Sequence, residues 1–225
     1  MTIDTGPTAH TVAASTHGRY LVQHPADAPV GLLVGFHGYA ENAEIHLAEL
    51  QRAAGAASWT LVAVQALHRF YNRRGDVVAS WMTSQDRNEA IADNIRYVSS
   101  IVRQVQDGTA GASRLVYVGF SQGTAMACRA AAYGGLTCDG VILLGGDVPP
   151  EIKAQSLRLP PALIGRGSRD DWYTSAKLDA DVTYLTSRSC QVETVEFEGG
   201  HEWTEEFRAA VRRFLAARTD TRGTP

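Results

Sequence analysis

Apolar residues in this chain fall into short continuous runs separated by stretches of helical spacing. Arg19-Tyr20-Leu21-Val22 reads as a short strand ahead of His24-Pro25. Val30 to Phe36 is apolar throughout, as expected of a strand buried on both faces. A helix is predicted from Asn42, a good cap, to Ala57, and a strand at Thr60-Leu61-Val62-Ala63-Val64. Residues 66–87 show no period and are rich in aromatic and charged side chains, so they are expected to be irregular. Ile91, Ile95, Val98, Val102 and Val105 then step by four and three, one face of a helix that Gly108 ends. Strands follow at 114–118, 141–144, 161–164 and 191–197, with helices at 124–132 and 174–187. Phe207, Val211 and Phe214 stripe a last helix.

Strands alternating with helices imply an α/β fold, a mostly parallel sheet covered by helices on both faces. The elements consume nearly all 225 residues, which leaves no insertion long enough for a separate cap domain. The expected organisation is one domain over residues 11–217, with flexible tails at 1–10 and 218–225.

Residues 119–123 carry the chemistry. Gly119-Phe120-Ser121-Gln122-Gly123 lies between a strand and a helix. A serine on such a sharp turn is held in a strained conformation that lifts its hydroxyl above the sheet. The flanking glycines keep side chains out of the crowded turn. A serine needs a base, and the base needs an orienting carboxylate. Of seven histidines only His201 follows Ser121, in Gly199-Gly200-His201-Glu202, between the last strand and the last helix. The carboxylate is sought after an intervening strand. Asp170 and Asp171 follow the run Leu163-Ile164-Gly165, and Asp147 follows the strand before it. Adjacent loop residues point different ways, so one of Asp170 and Asp171 faces His201; Asp170 leads, with Asp171 and Asp147 as alternatives. Oxyanion donors are expected from the backbone N–H of Gln122, at a helix start, and of Tyr39, in the loop after the Val30–Phe36 strand. His37, ahead of Ser121 in the chain, reads as structural.

These pieces resemble the phospholipase/carboxylesterase family of small serine esterases, which includes acyl-protein thioesterases. The resemblance rests on Phe36-His37-Gly38, Ser80-Trp81, the Ser121 pentapeptide, Gly167-Ser168-Arg169-Asp170 and Gly199-Gly200-His201-Glu202, in family order. It implies a cofactor-free α/β-hydrolase domain that cleaves carboxylic esters or thioesters. The implied triad is Ser121, Asp170 and His201, with Tyr39 and Gln122 as oxyanion donors. The chain departs from the family at Tyr39-Ala40-Glu41, often Leu-Gly-Asp, and at Asp171-Trp172-Tyr173, often Pro and small apolar residues. The expected activity is hydrolysis of short- to medium-chain acyl esters in a shallow cleft. Trp81, Phe120, Trp172 and Tyr173 are candidate walls. Thioesterase and lysophospholipase activities are the near alternatives. A catalytically silent binding protein of the same fold is the distant one.

Composition removes other classes. The net charge of −3 and the absence of a basic stripe give nucleic acid no electrostatic footing. Neither G-x-G-x-x-G nor a P-loop follows any strand. The first ten residues lack the pattern of a secretory signal, and no apolar run approaches a membrane span. Cys128, Cys138 and Cys190 are odd in number and widely spaced, which argues against disulfides and a zinc site and suits a cytoplasmic location. The expected partner is a small-molecule ester.

Overall fold

The computed structural model describes residues 6–219 except 56 and 156. In chain order the elements are β1 (Arg19–Gln23), β2 (Gly31–Phe36), α1 (Ala43–Ala54), β3 (Trp59–Gln65), β4 (His68–Tyr71) and β5 (Val77–Ser80). They continue with α2 (Arg87–Asp107), β6 (Arg114–Phe120), α3 (Gln122–Tyr133), β7 (Gly140–Leu144) and α4 (Pro150–Ala154). The last are β8 (Ala162–Gly167), α5 (Ser175–Ser187), β9 (Val192–Phe197) and α6 (Glu205–Thr219).

Seven strands form the main sheet in the order β1-β3-β2-β6-β7-β8-β9, parallel except for β1. Alternation within the buried strands sorts the core into two layers. Leu32, Val34, Phe36, Leu115 and Tyr117 face the layer of α2, α3 and α5. Leu33, Val116 and Val118 face the layer of α1 and α6. Burying each such side chain contributes about 1.5–3 kcal/mol. The chain leaves β2 toward β3 on one side and later returns to β6 on the other. The order therefore reverses between β2 and β6, and a crevice opens beyond the carboxyl ends of those strands.

The structure departs from the sequence pattern in four places. Residues 66–87 are not irregular: β4 and β5 pair as an antiparallel hairpin. The Asn72 side chain caps its turn, accepting from the N–H groups of Arg74 and Asp76, and Gly75 takes φ 83°. The strands are only four residues long, too short for a period to show. Second, α2 starts at Arg87, and while Val98, Val102 and Val105 are buried as expected, its first turns bury Ala90 and Asn94 instead of the expected positions. Asn94 is buried and its amide donates to Trp81 O at 2.7 Å, while Ile91 and Ile95 are only half-buried. Third, α4 is a single turn opened by Pro150, whose missing N–H costs nothing at a first helical position. Fourth, α6 continues to Thr219, past the boundary expected at 218, because the Arg218 guanidinium lies over the Phe214 ring and donates to Asp139 O. Among the described residues no helix is long and apolar enough to cross a membrane.

One core residue makes stability depend on pH. His46 on α1 is fully buried, and neither ring nitrogen has a protein partner among the described residues. Burial pushes its pKa down to about 3. In the unfolded chain the ring titrates near its ordinary value of about 6.5. Above that value neither state holds the proton, and the folded state keeps its full stability. As pH falls from about 6.5 toward 3, only the unfolded state gains the proton, and stability drops by up to about 1.4 kcal/mol per pH unit. Denaturant unfolding of His46→Leu across this range is expected to show a shallower acid slope than the parent. Equal slopes would mean that His46 is protonated inside the fold.

Candidate active site

Ser121 stands between β6 and α3 with φ 52° and ψ −118°, a strained conformation for a residue with a side chain. Its N–H donates to Leu144 O at 2.8 Å, and its carbonyl accepts from the Thr124 hydroxyl at 2.7 Å. The turn is held from below by close packing. A Cβ at Gly123 would lie 2.0 Å from Phe36 O, so the first turn of α3 rests directly on the end of β2.

His201 lies in the loop between β9 and α6, half-buried, with its ring packed on Phe120 at a centroid distance of 5.0 Å. The Gly145-Gly146 backbone runs beside both candidate groups. A Cβ at Gly145 would sit 3.0 Å from His201 Cε1, and one at Gly146 would sit 2.4 Å from Ser121 O. His201 Nδ1 is 2.8 Å from Asp170 Oδ2. A carboxylate accepts, so Nδ1 carries the proton, which in the neutral tautomer makes Nε2 the acceptor. Asp170 is buried, and its other oxygen accepts the N–H groups of Trp172 and Tyr173 at 2.8 and 2.9 Å. These three bonds fix the carboxylate. Asp171 is exposed, and Asp147 pairs with Lys177 at the rim, so the fold brings Asp170 to His201 and neither alternative.

The loop after β2 is clamped from three directions. His37 is buried; its Nε2 accepts from Ala66 N–H, so its Nδ1 carries the proton and donates to Gly38 O at 2.6 Å. Burial lowers its pKa and favours this neutral form. Glu41 accepts from Gly38 N–H, and the backbone of Ala40 and Glu41 pairs with Ala79 of β5. Trp81 Nε1 donates to His37 O at 2.9 Å. The N–H groups of Tyr39 and Gln122 have no protein partner among the described residues. The Gln122 side chain ties the two loops together, accepting from Trp81 N–H and donating to Met82 O. No three His, Cys, Asp or Glu side chains among the described residues converge as metal ligands.

A cleft of about 310 Å³ adjoins Ser121, lined by Met82, Arg87, Thr124, Ala125, Arg129, Gly146, Pro149, Trp172 and Lys177, among others. Of the four candidate walls only Trp172, 77% exposed, lines it. Trp81 is 0% exposed and belongs to the core beside Phe36. Phe120 is buried between His201 and Trp203. Tyr173 is 1% exposed, its hydroxyl donating to Asp181 at 2.9 Å. The indole N–H and the phenol O–H find partners in the interior, which lets these amphipathic rings be buried. The sequence reading missed Arg129. The signal was its spacing: positions 121, 125 and 129 share one face of a helix.

Residues 17–219 match the Phospholipase/Carboxylesterase family. The chain belongs to that family. Its members are hydrolases of the carboxylesterase and acyl-protein thioesterase type. Solved structures with the same fold include esterase PE8, 22% identical, with a TM-score of 0.68 over 89% of this chain and 97% of that one. A carboxylesterase from Mesorhizobium loti is 20% identical, with a TM-score of 0.72 over 88% and 94%. Acyl-protein thioesterase 2 from Zea mays is 18% identical, with a TM-score of 0.68 over 90% and 100%. At such identities the likeness is one of fold. A search of curated proteins finds no match.

Tyr173 gives a test of the burial in this family member. Tyr173→Phe leaves the buried Asp181 carboxylate short of a donor and is expected to cost about 1–3 kcal/mol of unfolding free energy. Relative kcat/KM across a series of acyl lengths is expected to stay the same. A changed acyl preference would mean that the ring reaches substrate.

Proposed function

We propose that the protein is a serine carboxylesterase that hydrolyses short- to medium-chain acyl esters through an acyl-enzyme. The reading is carried by the 2.8 Å bond from His201 Nδ1 to buried Asp170, beside a serine on a strained strand–helix turn. In this mechanism Ser121 Oγ attacks the ester carbonyl carbon, and His201 Nε2 takes its proton. Asp170 holds the imidazole in the required tautomer and stabilises the imidazolium. The oxyanion is received by the N–H groups of Tyr39 and Gln122, which have no other protein partner among the described residues. The alcohol leaves with the proton from His201. Water then attacks the acyl-enzyme by the same route, releasing the acid and restoring Ser121. The protein's own groups account for every proton in this sequence, so no cofactor is invoked.

An open cleft rather than a tunnel favours compact acyl groups and keeps long-chain thioester or lysophospholipid substrates second. Three free thiols, Cys128 and Cys190 among them buried, fit a reducing, cytoplasmic setting.

A fluorophosphonate probe is expected to label Ser121, and Ser121→Ala to abolish labelling. Turnover of nitrophenyl butyrate by Ser121→Ala is expected to fall by about 10⁴–10⁶. Asp170→Asn is expected to cost about 10⁴, and Asp171→Asn or Asp147→Asn little. Full activity in Ser121→Ala, or a larger loss in Asp171→Asn than in Asp170→Asn, would overturn the assignment.

A further inference from the structure

The cleft wall beside Ser121 carries a buried charge that the proposed chemistry does not use. Arg129 lies two turns along α3 from Ser121, about 12 Å of helix rise, and its side chain is 1% exposed. Arg129 and Ser121 line the same cleft. Ala125, one turn from each, offers only a methyl group, so the space between them stays open.

A guanidinium has five N–H donors, and a buried one needs acceptors. Arg166 shows how this chain satisfies a buried guanidinium used for structure. Its nitrogens donate to Tyr173 O, Ser168 O and the Glu196 carboxylate. Among the described residues Arg129 has one oxygen partner, Glu151, at 2.6 Å from Nε. Its Nη1 is 3.9 Å from Met82 Sδ, a weak acceptor. Arg87, on the same wall, repeats the pattern: Nη1 lies 3.0 Å from Met82 Sδ, and Nη2 is 3.7 Å from the same Glu151. Two guanidiniums thus share one carboxylate. Lys177 and Asp147 at the rim cancel each other. The wall keeps a surplus of one positive charge in a chain whose net charge is −3. That local excess opposes the overall sign; Arg129 is buried in the wall, where a charge short of partners is costly, and Arg87 stands exposed beside it.

We propose that the cleft is built for esters that carry a carboxylate, seated on the spare donors of Arg129 and Arg87. The inference rests on the serine-esterase reading and narrows its substrate class. A carboxylate fits the planar fork of a guanidinium and supplies the missing oxygen acceptors. The reacting carbonyl and the carboxylate then lie at opposite ends of one extended substrate, as in the half-ester of a dicarboxylic acid. Phosphate monoesters carry a larger charge, about −1.5 to −2, and lack the planar pair of oxygens.

The test compares charged and neutral substrates of equal length, above the carboxylate pKa. Monoethyl esters of glutaric, adipic and suberic acids are paired with ethyl pentanoate, hexanoate and octanoate. A second arm places the carboxylate on the alcohol side, as 4-carboxybutyl butyrate against pentyl butyrate. In at least one arm the charged ester is expected to have the higher kcat/KM by about tenfold or more, the scale of a charge-assisted hydrogen bond. Arg129→Gln and Arg87→Gln are each expected to pull that ratio toward one. The ratio is internal to each variant, so partial loss of folded protein does not distort it. If Arg129→Gln does not fold, the ratio in Arg87→Gln decides. A parent ratio at or below one in both arms overturns the inference, as does a ratio that neither substitution changes. With neutral esters still cleaved through Ser121, such a result leaves the esterase reading intact. No turnover of any ester and no fluorophosphonate labelling would overturn both.

Discussion

The first turn of α3 lies so close to the end of β2 that position 123 has room only for hydrogen: a Cβ there would meet Phe36 O at 2.0 Å. That approach joins the two strands flanking the point where the sheet order reverses. It sets Ser121 beside the His37-Gly38-Tyr39 loop, and the N–H groups of Tyr39 and Gln122 have no protein partner among the described residues. The strain at Ser121 is tolerated because the surroundings over-determine it, with bonds from its N–H to Leu144 and from Thr124 to its carbonyl.

Around that contact the fold behaves as a set of clamps on loops. The β4–β5 hairpin pairs with Ala40 and Glu41, and Trp81 at its end bonds His37 O, so a segment with no helical or long-strand pattern holds the loop after β2. On the other side Asp170 is fixed by two N–H groups of its own loop, and Tyr173 anchors that loop to Asp181. Asp181 also accepts from Val148 N–H beside the cleft, tying the acid loop to the wall near Asp147. The loops that hold the candidate site residues are fixed by interior bonds rather than by regular structure.

Charge is distributed with the same economy. Arg166 spends its donors within the acid loop and its neighbours, whereas Arg129 and Arg87 divide a single glutamate and face the cleft. Polar groups left short of partners cost stability, so proteins keep few of them, and such a group beside a cleft is a candidate for ligand contact.

The sequence by itself determined the strands of the main sheet and the longer helices between them, the serine turn, the position of the histidine and the family, but not the β4–β5 hairpin or α4. Those features depend on local spacing: continuous apolar runs, glycines two residues either side of Ser121, and one histidine after it. Tertiary structure decided what depends on residues far apart in the chain. It brought Asp170 rather than Asp171 or Asp147 to His201, because the Trp172 and Tyr173 N–H groups turn that carboxylate inward. It buried Trp81 and Tyr173, which composition alone offered equally as cleft walls, because partners for their polar ends lay inside, at His37 O and Asp181. It also set Arg129 in the wall beside Ser121 with one oxygen partner among the described residues. A helical spacing of eight was legible in the chain, but the number of acceptors within reach of a guanidinium is a property of the packed fold alone.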